Sequence, residues 1–298
     1  MTLEDFIINT YCFVDNYLKE ENLTRLRRRG EPPALSDAEM ITMEIVGEYL
    51  GYGSDKRIWS YFKEHWRHFF PKIPCRSSFA KHCANLSEVK KQLQVYVSNH
   101  LSDNQDLYFC DGFPIPICHI KRYKRSTTQL RSEGSVGYCA AKDEYYFGFK
   151  GHLFITQHGS VIGYDIAAAN VDERDMLPEI VGNRSGMLIG DKGLMRRSLQ
   201  AMLAKQHLDL QTPLRANMQD SRPKTLVTLM MNMRRTVETM IGQLVDRFKI
   251  QSIKAKDLWH LSAKVGRKIL SHTVCFMFNS VVNPHKPLAL ELLLNSKT

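Results

Sequence analysis

Apolar and polar positions in the first hundred residues recur with the spacing of amphipathic helices. Ser36 and Glu39 form a capping-box pattern, which predicts a helix that begins after Ser36 and ends near Gly51. Further helices are predicted over 54–70, 76–82 and 87–100. A turn followed by a short basic helix fits a helix-turn-helix DNA-binding domain, and a plain helical bundle with a charged solvent face fits equally well.

After the polar segment 101–106 the pattern changes to strands. Strands are predicted at 107–111 and 187–190, and a hairpin at 145–156 and 161–167. Helices are predicted near 172–181, 196–206, 226–248 and 257–278. The predicted fold class is therefore α/β, with a mixed sheet flanked by helices after an all-helical N-terminal domain. The expected domains are 1–103, 104–282 and a C-terminal tail at 283–298.

The charge of the chain favours a polyanionic partner. Its net charge is +10 and its isoelectric point is near 9.2, although a merely soluble basic protein has the same balance. The seven cysteines are scattered without a C-x-x-C pair, which is typical of a reducing compartment. Neither a signal-peptide pattern nor an apolar run long enough for a membrane span is found, so a cytoplasmic protein is expected.

Three acids are candidates for metal chemistry. Asp111 and Asp191 each end an apolar run, and Glu238 lies on a predicted amphipathic helix, at the margin of its core stripe. Carboxylate oxygens are ligands that Mg²⁺ prefers, and two such ions suffice for phosphodiester chemistry. Each acid also has an ordinary interpretation, because Asp191 suits a strand-to-loop turn and Glu238 suits a solvent-facing helix position. The acids Asp172, Glu173 and Asp175 are interpreted as a helix start.

Basic residues surround these acids in the sequence. A charged, solvated loop is the alternative for the stretch 121–131, but charge this dense favours contact with DNA. Tyr123 and Tyr138, interleaved with the basic residues, are candidates for stacking on bases. The predicted DNA-contacting residues are Lys121, Arg122, Lys124, Arg125, Arg131, Lys150, Lys192, Arg234 and Arg235.

The chain resembles bacterial insertion-sequence transposases of the DDE type, most closely the IS982 family. The resemblance covers nearly the whole chain and is carried by ordered sequence blocks: Leu-Ser-Asp-Ala-Glu at 35–39, Cys-Asp-Gly-Phe-Pro-Ile-Pro at 110–116, Tyr-Tyr-Phe-Gly-Phe-Lys-Gly-His at 145–152, Ala-Asn-Val-Asp-Glu-Arg-Asp at 169–175, Ile-Gly-Asp-Lys-Gly at 189–193 and Arg-Arg-Thr-Val-Glu at 234–238. It implies an RNase H-like catalytic domain with Asp111, Asp191 and Glu238 as catalytic and metal-binding triad.

The resemblance also implies a function. Mg²⁺, with Mn²⁺ as an expected substitute, would support cleavage at terminal inverted repeats, after which the freed 3′-hydroxyl attacks target DNA. The expected partners are DNA and a second copy of the chain in a synaptic homodimer, with no membrane, in the bacterial cytoplasm at the nucleoid. The alternatives are an RNase H-like nuclease without strand transfer and a non-catalytic DNA-binding regulator.

Three positions depart from the pattern of related transposases. Val245 stands where relatives carry a lysine seven residues after the glutamate, and Met231 stands where they carry a tyrosine. Lys249 is a candidate replacement for the lysine. Gly112 occupies the place of a frequent serine after the first aspartate, a change that we expect to be tolerated.

Overall fold

The computed structural model describes residues 1–23, 31–102, 105–125, 128–140, 142–214 and 219–294. Its helices are α1 (Leu3–Glu20), α2 (Asp37–Tyr49), α3 (Asp55–His65), α4 (Arg76–Asn85), α5 (Ser87–Ser102), α6 (Ile120–Tyr123), α7 (Glu173–Val181), α8 (Arg197–Ala204), α9 (Lys224–Asp246) and α10 (Leu258–Val282). Its strands are β1 (Leu107–His119), β2 (Ser135–Cys139), β3 (Glu144–Thr156), β4 (Val161–Ala168), β5 (Gly186–Ile189) and β6 (Leu208–Gln211).

The chain forms two compact units. The helical unit consists of residues 1–97, 244–250 and 262–298, and the sheet unit consists of 98–243 and 251–261. The sheet has the order β2-β3-β1-β5-β6, and β4 pairs with the remaining part of β3. β1 is antiparallel to β3 and parallel to β5. The predicted mixed α/β arrangement is therefore confirmed.

β1 extends well beyond its predicted end. The sequence pattern predicted a strand over 107–111, but β1 continues to His119. Phe113 and Ile115 continue the alternation of buried side chains, and β3 is long enough to pair with this extension. Proline is tolerated at 114 and 116 because β5 pairs with β1 only at 107–109, so the rest of β1 has a free edge on that side within the described part of the chain.

The core of the sheet unit fixes α7 and α8 on one face of the sheet. Leu177 and Val181 of α7 are buried there with Leu199 and Leu203 of α8. The strand residues of the same cluster include Tyr108, Cys110, Phe154, Leu188, Leu208 and Leu210. This packing sets the first turn of α7 against the sheet, which matters for the acidic residues described below.

Two strands were not predicted from the sequence. β2 is an edge strand that leaves Val136 and Tyr138 exposed, so its apolar residues do not indicate a buried face. β6 has four residues and depends on parallel pairing with β5, which lies a helix earlier in the chain. Neither strand has a clear pattern in its own residues, because each is stabilised by pairing with a strand elsewhere in the chain.

The helical unit confirms the predicted capping box. The Ser36 hydroxyl accepts a hydrogen bond from the Glu39 N–H, and the Glu39 carboxylate accepts one from the Ser36 N–H. The helix predicted over 54–70 is too long, because α3 ends at His65. The turn after Trp66 places Phe70 against Phe62, with ring centroids 5.3 Å apart and both side chains buried.

A balanced ion network lies in the core of the helical unit. Glu44 and Glu48 of α2 are fully buried. Arg267 of α10 pairs with both at 3.0 and 2.7 Å, and also with Asp55. Lys90 pairs with Glu44 at 2.7 Å, and Lys268 pairs with Glu48 at 2.6 Å. Three acids thus meet three bases, so no net charge is left in the core.

The network explains why α10, from residue 262 onward, belongs to the same compact unit as the N-terminal helices. The predicted catalytic domain of 104–282 included this segment. The domain limits 1–103, 104–282 and 283–298 stay a prediction. Among the residues that the structure describes, no helix combines the length and apolar character that crossing a bilayer requires.

Candidate active site

Asp111 projects from the part of β1 that lies past its contact with β5. It is half-buried, and its Cα partner across the antiparallel pair is Leu153 of β3. The Gly112 N–H donates a hydrogen bond of 2.7 Å to Asp111 Oδ1. Asp111 therefore lies inside a long strand and not at a strand end, but the neighbouring edge of β1 is free at this point.

Asp191 lies next to Asp111 in the sheet because it comes shortly after β5, the strand that runs parallel to β1. The parallel register pairs Phe109 with Ile189, and an aspartate stands two residues further along the chain from each of them, Asp111 within β1 and Asp191 just past the end of β5. Parallel strands run side by side, so this register brings both acidic positions to one edge. Asp191 stands at the N-cap of the turn Lys192–Leu194, where its side chain makes no capping hydrogen bond.

A cavity of about 410 Å³ opens beside the two aspartates. Its lining mixes apolar, acidic and basic side chains. The lining residues are Phe109, Asp111, Ile189, Gly190, Asp191, Lys192, Pro213, Leu214, Asp220, Arg222, Val227, Met230, Met231 and Arg234. The N-terminal half of α9 thus closes the cavity opposite the strands.

The surroundings of Asp111 favour its protonated form. Burial raises the pKa of its carboxyl to about 7, and the negative charges of Glu173 and Asp191 act in the same direction. The hydrogen bond from the Gly112 N–H and the charge of Arg234 lower the pKa and offset part of this rise. A cation in the cavity would relieve the repulsion between these carboxylates.

Glu238 is not brought to the other two acids in the structure. It lies on α9, one turn beyond Arg234, with its side chain 60% exposed. Arg234 Nε donates to Glu238 Oε1 at 3.0 Å. Arg234 lines the cavity, whereas Glu238 is not among the lining residues. The role of Glu238 as the third acid therefore stays a prediction.

The donor set at the cavity fits a hydrated divalent cation. Asp111 and Asp191 offer only carboxylate oxygens, which hard cations prefer. Within the described ranges, no three His, Cys, Asp or Glu side chains are arranged to hold a metal ion. Mg²⁺ often needs only one or two protein carboxylates, because waters and substrate phosphates complete its shell.

Glu173 is a further acid close to this site, although its sequence context predicts only part of a helix start. Its Oε1 lies 2.9 Å from the point where a Cβ on Gly112 would be. It also forms an ion pair of 3.1 Å with Lys150. The sequence carries one signal for this proximity, the absence of a side chain at the residue after Asp111.

The predicted DNA-contacting residues fall into two groups. Lys192 and Arg234 line the acidic cavity, and Lys150 pairs with Glu173. The other six are all exposed on the surface: Lys121, Arg122, Lys124, Arg125, Arg131 and Arg235. Tyr123 stacks on Phe147, with ring centroids 5.2 Å apart, whereas Tyr138 is 49% exposed and lies against Tyr145. Of the two tyrosines, Tyr138 is the more accessible to a base.

The fold and the site together define an α/β protein with an acidic cavity at one edge of its sheet. Residues 101–257 match the family described as Transposase DDE domain. This match spans more than half of the 298 residues, so the chain belongs to that family and is a DDE-type transposase.

The chain also has structural similarity to solved transposases. It aligns with the piggyBac transposase synaptic complex with hairpin DNA at 11% identity and a TM-score of 0.47, covering 97% of this chain and 76% of that one. It aligns with the Mos1 strand transfer complex at 11% identity and a TM-score of 0.24, covering 87% and 83%. None of the curated proteins compared with the chain matches its sequence.

Proposed function

We propose that this chain is an insertion-sequence transposase of the IS982 type. It cleaves DNA at the terminal inverted repeats of its element and joins the freed 3′-hydroxyl to target DNA. Its catalytic domain is RNase H-like, and its N-terminal helices α3 and α4 read the repeats. The observation that carries this proposal is the matched β1–β5 register, which gives a transposase-family chain two aspartates at one edge of the sheet.

Asp111 and Asp191 hold the divalent cation, which is Mg²⁺ with Mn²⁺ as a substitute. When bound, such ions activate the attacking oxygen and stabilise the leaving oxygen. Arg234 lines the cavity and can neutralise either the acids or a phosphate, and it also donates a hydrogen bond to Glu238. We assign Glu238 to the third acidic position, which it reaches once DNA takes Arg234 away from it.

DNA enters along the basic surface beside the cavity. Lys192 and Arg234 contact the phosphates nearest the reaction, and the exposed residues of the 121–131 segment follow the backbone further out. In the joining step the 3′-oxygen forms a bond to a target phosphorus while the bond from that phosphorus to its own 3′-oxygen breaks. Two element ends must react together, so a homodimer forms the synaptic complex.

Strand transfer with pre-cleaved ends tests the proposal. The purified chain is incubated with radiolabelled element ends, plasmid target and Mg²⁺. Joined products are expected, and products of hydrolysis alone would show a nuclease. Asp111→Asn and Asp191→Asn should each lower joining by about 10³-fold or more, because each removes a carboxylate ligand of the cation whose positive charge stabilises the transition state, while the gel shift with element DNA remains.

Glu238→Gln is paired with Asp246→Asn, a change at an exposed acid further along α9. We expect E238Q to abolish joining and D246N to retain it. If D111N and D191N join DNA as well as the wild type, the catalytic site does not depend on these acids. If the wild type binds element DNA but neither cleaves nor joins it, the chain is a DNA-binding regulator instead.

A further inference from the structure

The Glu173 carboxylate lies between the two chain segments that carry the aspartates. Its Oε1 is 2.9 Å from the point where a Cβ on Gly112 would stand, and its Oε2 is 4.0 Å from the corresponding point on Gly193. Gly112 directly follows Asp111, and Gly193 is two residues past Asp191. A single side chain therefore faces both acidic segments through gaps left by two glycines.

The start of α7 does not account for this placement. Asp172 is the N-cap and accepts a hydrogen bond from the Arg174 N–H at 3.0 Å. Arg196 binds Asp172 at 3.1 Å and Asp175 at 2.7 Å. These contacts complete the capping and charge balance of the helix start. Glu173 turns away from them and pairs with Lys150 of β3.

The sheet beneath Glu173 is polar on this face. The register pairs Gly112 with His152 and Pro114 with Lys150, and paired residues project to the same face. His152 is only 5% exposed, and its Nε2 has no hydrogen-bond partner in the described part of the chain. Glu173 and Lys150 are half-buried and paired with each other, whereas His152 keeps a buried nitrogen without a partner among the described residues, an arrangement that costs free energy.

We propose that Glu173 is a positioning residue of the cation site formed by Asp111 and Asp191. It adds a further negative charge and an outer hydrogen-bond acceptor close to both aspartate segments. This inference rests on the proposed function, because it assumes that the two aspartates bind a divalent cation. Outer carboxylates of this kind orient a metal site and tune its affinity.

Calorimetric titration of the full chain with MnCl₂, without DNA, tests the inference. We expect Glu173→Gln to raise the Kd for Mn²⁺ by about 10-fold, within the range found for outer-shell residues. Glu179→Gln, an exposed acid on the same helix, should leave the Kd unchanged. An unchanged Kd in E173Q overturns the proposal.

A second pair of variants separates this role from a structural one. Lys150→Gln breaks the same ion pair but keeps the Glu173 carboxylate, so the Kd should stay the same or fall. Equal weakening in K150Q and E173Q would show that only the ion pair matters and would overturn the proposal. Gly112→Ala pushes the Glu173 tip away without changing α7 and should also raise the Kd. An unchanged Kd in G112A contradicts the inference even if E173Q fails to fold.

The proposed function has its own outcome in the same titration. Asp111→Asn should abolish Mn²⁺ binding. If D111N binds Mn²⁺ like the wild type, the aspartate site itself is wrong. If D111N loses binding while E173Q does not, only the role of Glu173 fails.

Discussion

At Asp111, the surroundings of a single carboxyl link stability to pH. Its pKa is raised from 3.8 to about 7, chiefly by burial. Between these values the folded chain keeps a proton that the unfolded chain has lost, so the free energy of unfolding falls as the pH rises through this window. In the metal-free protein, ionisation of Asp111 therefore lowers the free energy of unfolding at neutral pH.

Replacing this acid by an amide should remove the dependence. We expect Asp111→Asn to match the wild type in free energy of unfolding near pH 4 and to exceed it by about 2 kcal/mol above pH 7. A shift of about three pKa units corresponds to about 4 kcal/mol, and we take roughly half of it because Asp111 is partly exposed to solvent. Urea unfolding from pH 4 to 8 in a chelator measures this. A constant difference between the two proteins across that range would contradict the interpretation.

Asp172→Asn is the control with the opposite sign. A hydrogen bond from the Arg174 side chain holds the pKa of Asp172 at about 2. The stability from this acid is complete above the unfolded pKa of 3.8 and is lost only as the pH falls towards 2. D172N should therefore be less stable than the wild type by the same amount from pH 5 to 8.

Residue chemistry in the sequence was enough to propose Asp111 and Asp191 as candidates, since a carboxylate after an apolar run needs a partner, a cation or solvent. The structure places both at one cavity, and their catalytic role stays a prediction. Residue chemistry was not enough for Glu173. That residue follows an N-cap in a run of acids, and its own neighbours give it an ordinary role as part of a helix start. Its position over Gly112 depends on the packing of α7 on the sheet, which no local pattern records.

Among the helices, α2 carries two glutamates in an otherwise apolar, buried setting. Glu44 and Glu48 have no exposed surface, although α2 is otherwise an apolar core helix. The capping box at Ser36 could be predicted because it lies within four residues. The buried pairs could not, since their basic partners lie on α5 and α10.

Breaking this network should be far more damaging than breaking an exposed pair. Glu48→Gln leaves the charges of Arg267 and Lys268 without full compensation, and we expect it to lower the free energy of unfolding by about 3–5 kcal/mol. Asp15→Asn breaks the exposed pair with Lys19 on α1 and should leave the unfolding midpoint unchanged. Urea titrations followed by circular dichroism compare the two. Similar midpoints in E48Q and the wild type would show that the network is dispensable.

Strand limits show the same dependence on partners. The end of β1 was set too early because Asp111 and the prolines interrupt its apolar run. β3 supplies the pairing that carries β1 on to His119. β2 and β6 were missed for a related reason, because one has an exposed apolar pattern and the other is very short.

For the whole molecule, the net charge of +10 was the sequence property that indicated a polyanionic partner. The structure exposes Lys121 and Lys124 together at α6, in the sheet unit that also contains the acidic cavity. The mixed α/β arrangement also followed from the sequence. The grouping of α10 with the N-terminal helices did not, because contacts across most of the chain decide it.

Salt dependence tests the basic surface. Lys121→Gln combined with Lys124→Gln should weaken binding to element and random DNA alike. The slope of log K against log salt should become shallower by up to ~1.8, which corresponds to two phosphate contacts. Lys205→Gln with Lys256→Gln removes the same charge from exposed positions elsewhere in the sheet unit. Fluorescence anisotropy at several salt concentrations gives both slopes, and equal slopes would leave the α6 surface without a specific role.

The buried network also has a consequence for synthesis of the chain. Arg267 is synthesised 223 residues after Glu44, and Lys268 is synthesised 220 residues after Glu48. A ribosome adds about 5–20 residues per second, so the two carboxylates remain without these partners for roughly 10–45 s. The N-terminal helices leave the ribosome first, but their core closes only when the last helix has emerged.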